Sequence, residues 1–93
     1  MGITVTIPGA LQTFAGGSSE VALDARCATV GDALRALAGR HAGVVDRVMD
    51  ERGEVRRHVN VFVDGESIRF LDGLRTALGE SSTIAIVPAV SGG

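Results

Sequence analysis

Three short stretches that place apolar residues two apart constrain this chain most. They are Ile3, Val5 and Ile7; Val59, Val61 and Val63; and Ile84 and Ile86. Side chains two apart share one face of a strand, so each stretch predicts a strand with an apolar face. One longer segment has the helical period instead: Val30, Ala33, Leu34, Leu37 and Ala38 fall on one side, with Asp32, Arg35 and Arg40 largely on the other. At 93 residues the chain makes one small domain. The simplest packing is α+β: a four- to five-stranded mixed sheet with one main helix across one face. The expected core is the three stretches together with Leu34 and Leu37.

The punctuation between these segments gives the element order. Pro8-Gly9 stops the first strand, and Ala15 to Ser19 is a Gly/Ser-rich loop. Val21 to Leu23 forms a short second strand, antiparallel to the first. The connection is long for a hairpin, so Leu11 and Phe14 are expected to tuck back onto the core. Thr29-Val30-Gly31-Asp32 has the form of a helix N-cap with Asp in place of the usual Glu or Gln. Ala42-Gly43 is taken as the glycine stop of the helix, and Val44, Val45 and Val48 as a further short apolar turn. Asp50 to Arg57 is a charged loop. Asp64-Gly65 predicts a hairpin turn, with Ser67 to Phe70 as its returning strand. Leu74 to Gly79 holds one helical turn. Thr83 to Val87 is the last strand, and Pro88, which has no N–H to donate, ends regular pairing.

Composition removes several function classes. There is no Trp or Tyr and there are three Phe, too few for an RNA-stacking surface. The net charge is −2 and no long basic stripe exists, which argues against nucleic acid. The single Cys27 excludes an internal disulfide and a multi-cysteine zinc site, and is expected as a small buried residue before the helix. His41 and His58 lack ligand spacing, so no metal is expected. No apolar stretch is long enough to span a membrane and no signal peptide opens the chain, so a cytoplasmic protein is expected. Met1 to Thr6 matches a myristoylation pattern, but Gly2 runs directly into a strand. Gly16-Gly17-Ser18-Ser19 lacks the lysine of a phosphate loop. Arg56-Arg57-His58 is taken as solvated loop. No Ser/His/Asp set has a hydrolase context. The chain therefore reads as a cosubstrate and not an enzyme, with no catalytic residues of its own.

What is left is the end of the chain, Val90-Ser91-Gly92-Gly93, directly after the last strand. Two glycines lose the most freedom on ordering and offer nothing to pack. They suit a tail that threads a narrow channel and presents its own carboxylate. The expected division is a folded domain over residues 1–88 and a flexible tail over 89–93. Extended, that tail reaches roughly 17 Å. The α-carboxyl of Gly93, with a pKa of about 3.3–3.7, is an anion near neutral pH.

The element order, the diglycine end and the run Ile84 to Gly93 together resemble the ubiquitin-like sulfur carriers, the family of the thiamin-pathway carrier and the small subunit of molybdopterin synthase. The stretch Arg57 to Phe70, with Gly73-Leu74 following, resembles the actinobacterial cysteine-biosynthesis carriers most. Glu80-Ser81-Ser82 departs from the family's Asp-Gly-Asp-like turn, which is expected to alter a loop only. The resemblance implies a β-grasp, ubiquitin-like fold. It implies adenylation of Gly93 by an E1-like partner enzyme that uses ATP and Mg²⁺, followed by conversion to a thiocarboxylate. Nothing is expected to be bound by the carrier itself. The further partners implied are a sulfur-accepting synthase, of cysteine-synthase or thiosugar-synthase type, and a metal-dependent isopeptidase. Two other readings stand beside it: a ubiquitin-like modifier joined through Gly93 to target lysines, and a non-conjugating interaction domain. If Ile84 and Ile86 face the helix, then Ala85, Val87 and Phe62 fall on the opposite sheet face and form the candidate docking surface.

Overall fold

The computed structural model describes residues 2–23 and 26–88. Five strands form one mixed sheet: β1 (Ile3–Thr6), β2 (Glu20–Leu23), β3 (Val59–Val63), β4 (Glu66–Ser67) and β5 (Thr83–Pro88). Their order is β2-β1-β5-β3-β4. The central pair is parallel, with Val5 opposite Ile84, and the outer pairings are antiparallel. Every expected core residue is buried. Ile3, Val5, Val61 and Ile84 on the sheet meet Val30, Leu34 and Leu37 of helix α1 (Val30–Arg40) in one cluster. Burying each such aliphatic side chain contributes roughly 1.5–3 kcal/mol.

The entry to α1 follows its sequence signal. The Thr29 hydroxyl accepts from the Asp32 N–H at 3.2 Å, and the Asp32 carboxylate accepts from the Thr29 N–H at 3.2 Å. Asp is long enough to close a reciprocal capping box here. The exit does not follow its signal. Helix α1 ends at His41, which takes up an extended φ of −141°, and a second helix, α2 (Ala42–Val48), begins at once. Gly43 lies inside α2 and stops nothing. Its role is close approach: a Cβ there would sit 3.1 Å from Cδ1 of Phe14. Val44 and Val48, one helical turn apart, bury the inner side of α2.

The β1–β2 connection opens with a 3₁₀ helix, Gly9–Ala15, and the expected Gly/Ser-rich loop follows over Gly16 to Ser19. Leu11 packs partly buried against the core, as expected, and Phe14 lies over α2. Ala15 is fully buried, which the sequence did not signal.

The Asp64-Gly65 turn is present, with both residues at positive φ (49° and 92°). The returning strand is shorter than expected. Only Glu66 and Ser67 pair with β3, and Ile68–Phe70 turns into a 3₁₀ helix capped by the Ser67 hydroxyl. The expected helical turn after Asp72 is a single 3₁₀ turn, Gly73–Arg75. The segment behind it is strapped to the start of α1, with the Val30 N–H donating to the Thr76 carbonyl and the Leu78 N–H to that of Ala28. The Glu80-Ser81-Ser82 turn closes on itself through the Ser82 hydroxyl, which accepts from the Gly79 N–H at 2.8 Å. The next residue opens β5.

Candidate functional site

The site follows from how β5 is held. Its inward residues, Ile84 and Ile86, are buried against α1 and the core. On one side β5 runs parallel to β1, and on the other it pairs with all five residues of β3. That second register continues to the strand's last residue, with Pro88 opposite Val59. Pro88 therefore belongs to the strand and closes the pairing. Because β5 is central, its first half is held by neighbours on both sides, and the point where the chain leaves the domain is fixed by β3. Val90, Ser91, Gly92 and Gly93, the expected reactive tail, lie outside the described residues, as does the rest of the 89–93 segment.

The three expected docking residues share the sheet face turned away from α1. Phe62 stands opposite Ala85, and Val87 opposite Asn60. Phe62 and Ala85 are half-buried, while Val87 is 43% exposed. Thr6 borders Ala85 from β1 and Ser67 borders Phe62 from β4. The result is a small apolar strip with hydroxyl neighbours, ending beside the exit of the chain.

A second feature lies at that exit, and it includes Arg56 and His58 of the run read as solvated loop. A cavity of about 310 Å³ opens at Pro88, lined by Leu11, Val59, Asp46, Arg47, Arg56 and His58 among others. The only sequence signal was the Arg56-Arg57-His58 run. Arg47 joins it from the last turn of α2, the segment read as a short apolar turn over Val44 to Val48. Phe70 is also unexpectedly bare, at 87% exposure, because the chain turns away from the sheet before reaching it.

Cys27 is partly buried against the core. His41 and His58 join no metal set. Among the described residues no group of three His, Cys, Asp or Glu side chains is placed to hold a metal ion. No helix in this part of the chain is long and apolar enough to cross a membrane.

Known proteins share this fold. A chain in the crystal structure of the Amycolatopsis orientalis BexX/CysO complex superposes with a TM-score of 0.87 at 38% identity, covering 98% of this chain and 99% of that one. The fold is the β-grasp, ubiquitin-like fold. The ThiS family model matches residues 5–93, and the chain belongs to the ThiS family. Sulfur carrier protein CysO of Mycobacterium tuberculosis is 37% identical over 95 residues, spanning the whole of both chains. Small archaeal modifier protein 3 of Haloferax volcanii is 42% identical over 66 residues, 71% of each chain.

Proposed function

We propose that this chain is a sulfur carrier whose reactive group is the Gly93 carboxylate. A carboxylate is a poor electrophile until its oxygen gains a leaving group. In the proposed sequence it attacks the α-phosphate of ATP on an E1-like partner enzyme, which also supplies Mg²⁺, and pyrophosphate leaves. Sulfide then displaces AMP directly, or a persulfide displaces it to give an acyl disulfide, whose S–S bond a second thiol cleaves, the donor leaving as a disulfide. The product is a thiocarboxylate, a sulfur nucleophile for a biosynthetic acceptor. The observation that carries this reading is the locked register of β5 to Pro88 followed by a five-residue segment ending in Gly92-Gly93. A rigid exit aims the segment, and the absence of a Cβ at its last two positions keeps it narrow. Family membership and the full-length likeness to CysO support the same reading. Cysteine biosynthesis is the leading destination of the sulfur and thiosugar formation the next, with the accepting synthase and an isopeptidase as further partners.

Phe62, Ala85 and Val87 are the proposed contact for the activating enzyme, since their strip ends beside the exit. The likeness to an archaeal modifier protein supports a second reading, in which Gly93 is joined to lysines of other proteins. This chain has no lysine, so it cannot be linked to itself through a lysine side chain.

The test is intact-mass spectrometry after incubation with the activating enzyme of the same organism, ATP, Mg²⁺ and a sulfur source. The full chain gains the mass difference between oxygen and sulfur, and a chain lacking Gly93 does not. A truncated chain that still gained it would overturn the reading. Higher-mass adducts on an immunoblot of cell lysate, without a thiocarboxylate, would favour the modifier.

A further inference from the structure

Four arginines gather around the exit of β5, and the carrier chemistry assigns a role to none of them. Arg47 lies in the last turn of α2, with its guanidinium 3.6 Å from the centre of the Phe14 ring and Nη1 donating to the Gly43 carbonyl at 3.1 Å. Arg56 donates through Nε and Nη2 to the Asp46 carbonyl, at 3.3 and 3.0 Å. Arg69 reaches back from beyond β4. Its Nη2 donates to the carbonyls of Arg57 at 3.0 Å and Val59 at 2.9 Å, and its Nη1 to Oδ1 of Asn60 at 3.1 Å. Arg69 thereby pins the turn that carries Arg56, the exposed Arg57 and His58.

These contacts fix Arg47, Arg56 and Arg69 in place without neutralising them, because their partners are carbonyls, an amide and a ring, and Arg57 stands exposed on the turn they hold. The ion pairs among the described residues lie elsewhere, joining Arg35 to Asp32 and Arg52 to Asp50 and Glu54. The cavity at Pro88 holds a single carboxylate, Asp46, beside Arg47 and Arg56. A concentrated positive collar thus rings the exit of a chain whose net charge is −2.

Position selects what meets the collar. An enzyme that takes residues 89–93 into a narrow channel must bring the mouth of that channel up to Pro88. Five extended residues span roughly 17 Å, so a nucleotide at Gly93 lies well beyond the root of the tail. The collar therefore faces protein. We infer that Arg47, Arg56 and Arg57 form a docking collar for an acidic channel mouth on the activating enzyme. This rests on the carrier reading. Its contribution is to encounter and orientation, which opposite charges at a mouth accelerate and salt weakens.

The test uses the full chain with Arg47→Glu and Arg57→Glu combined, assayed by ATP–pyrophosphate exchange on the activating enzyme of the same organism. Arg26→Glu is the control. Arg26 is exposed and follows β2, whose end lies at the opposite pole of the sheet, because Leu23 pairs with Ile3 and Thr83 with Thr4. The double variant raises KM for the carrier about tenfold, leaves kcat within about twofold, and flattens the rise of wild-type KM with salt. Arg47→Lys with Arg57→Lys keeps the charge and keeps KM near wild type. Thermal melts confirm that each variant is folded. An unchanged KM in the glutamate variant, an equal loss in the lysine variant, or an equal effect of Arg26→Glu overturns the collar alone. A wild-type chain that supports no exchange overturns the carrier reading and the collar with it.

Discussion

The guanidinium of Arg47 lies over the ring of Phe14, and Gly43 lies against the same ring. The 3₁₀ helix after β1 and helix α2 thus meet through an aromatic side chain that a glycine admits and an arginine covers. Replacing Gly43 with Ala brings a helix-propensity gain of about 1 kcal/mol, set against a Cβ that crowds the ring. Gly43→Ala is therefore near neutral in the wild-type chain. In a Phe14→Ala background the contact with the ring is gone and only the 3.3 Å approach to the Cβ of residue 14 remains, so the same substitution is more favourable than in the wild type, by up to about 1 kcal/mol. Urea denaturation of the four chains of this cycle measures the difference. Equal effects in both backgrounds would refute the close approach.

The Asp64-Gly65 turn gives a second stability prediction. Gly65 has a φ of 92°, a conformation that a Cβ makes unfavourable. Gly65→Ala lowers stability by about 1–2 kcal/mol, read from the shift in the denaturation midpoint. Asp64 also accepts the Thr83 N–H through Oδ1 at 2.9 Å, tying this turn to the start of β5. Asp64→Asn keeps an acceptor there and is milder than Asp64→Ala.

Acid stability depends on two aspartates. The Glu54 N–H bonded to Asp50, aided by the Arg52 N–H and guanidinium, outweighs desolvation and holds the Asp50 carboxyl below its ordinary value. At Asp32, desolvation opposes ionisation, but hydrogen bonding with Thr29 and the Arg35 guanidinium prevail, and its pKa is also lowered. A carboxyl depressed in the folded state stabilises above its unfolded pKa, about 3.9, and loses that contribution as pH falls through the folded value. Tm measured from about pH 5 to pH 2 therefore falls. Asp50→Asn combined with Asp32→Asn makes the fall shallower and lowers Tm at neutral pH. A slope matching the wild type would contradict this.

The open sheet face yields a prediction on activity. Val87→Asp places a charge on the exposed end of the Phe62–Ala85 strip without entering the core. It raises KM for activation about tenfold, equal to about 1.4 kcal/mol of lost contact, with little change in Tm. Phe62→Asp has a larger effect on both, because Phe62 is half-buried. Turnover equal to wild type at limiting partner concentration would remove this face from the interface.

Much of the fold could be read from the chain where a signal had one physical meaning. The alternation of Ile84 and Ile86 placed a strand, and Asp64-Gly65 placed a turn that needs two positive φ angles. Thr29 and Asp32 placed a helix start. The misreadings came from signals with two meanings. Gly43 suits a helix stop and also suits close packing, and only Phe14, distant in sequence, decides between them. Ile68 and Phe70 continue an alternation, yet the Ser67 hydroxyl caps a turn and Arg69 occupies the edge of β3 where a longer β4 would have paired. The candidate site divided the same way. The sheet-face residues followed from strand parity. The arginine collar did not, since it is assembled from α2, the turn before β3 and a side chain from beyond β4.

The parallel pairing of β1 with β5 sets an order of events during synthesis. Thr4 finds its partner only when Thr83 exists. The middle of the sheet stays empty until the last strand has left the ribosome, so the domain closes late, by inserting its newest segment between older ones. A ribosome product broken off before Thr83 lacks the central strand and cannot complete the core. Folding thus acts as an inspection of length: a partner enzyme that recognises the finished sheet meets only chains translated into the strand from which the tail departs.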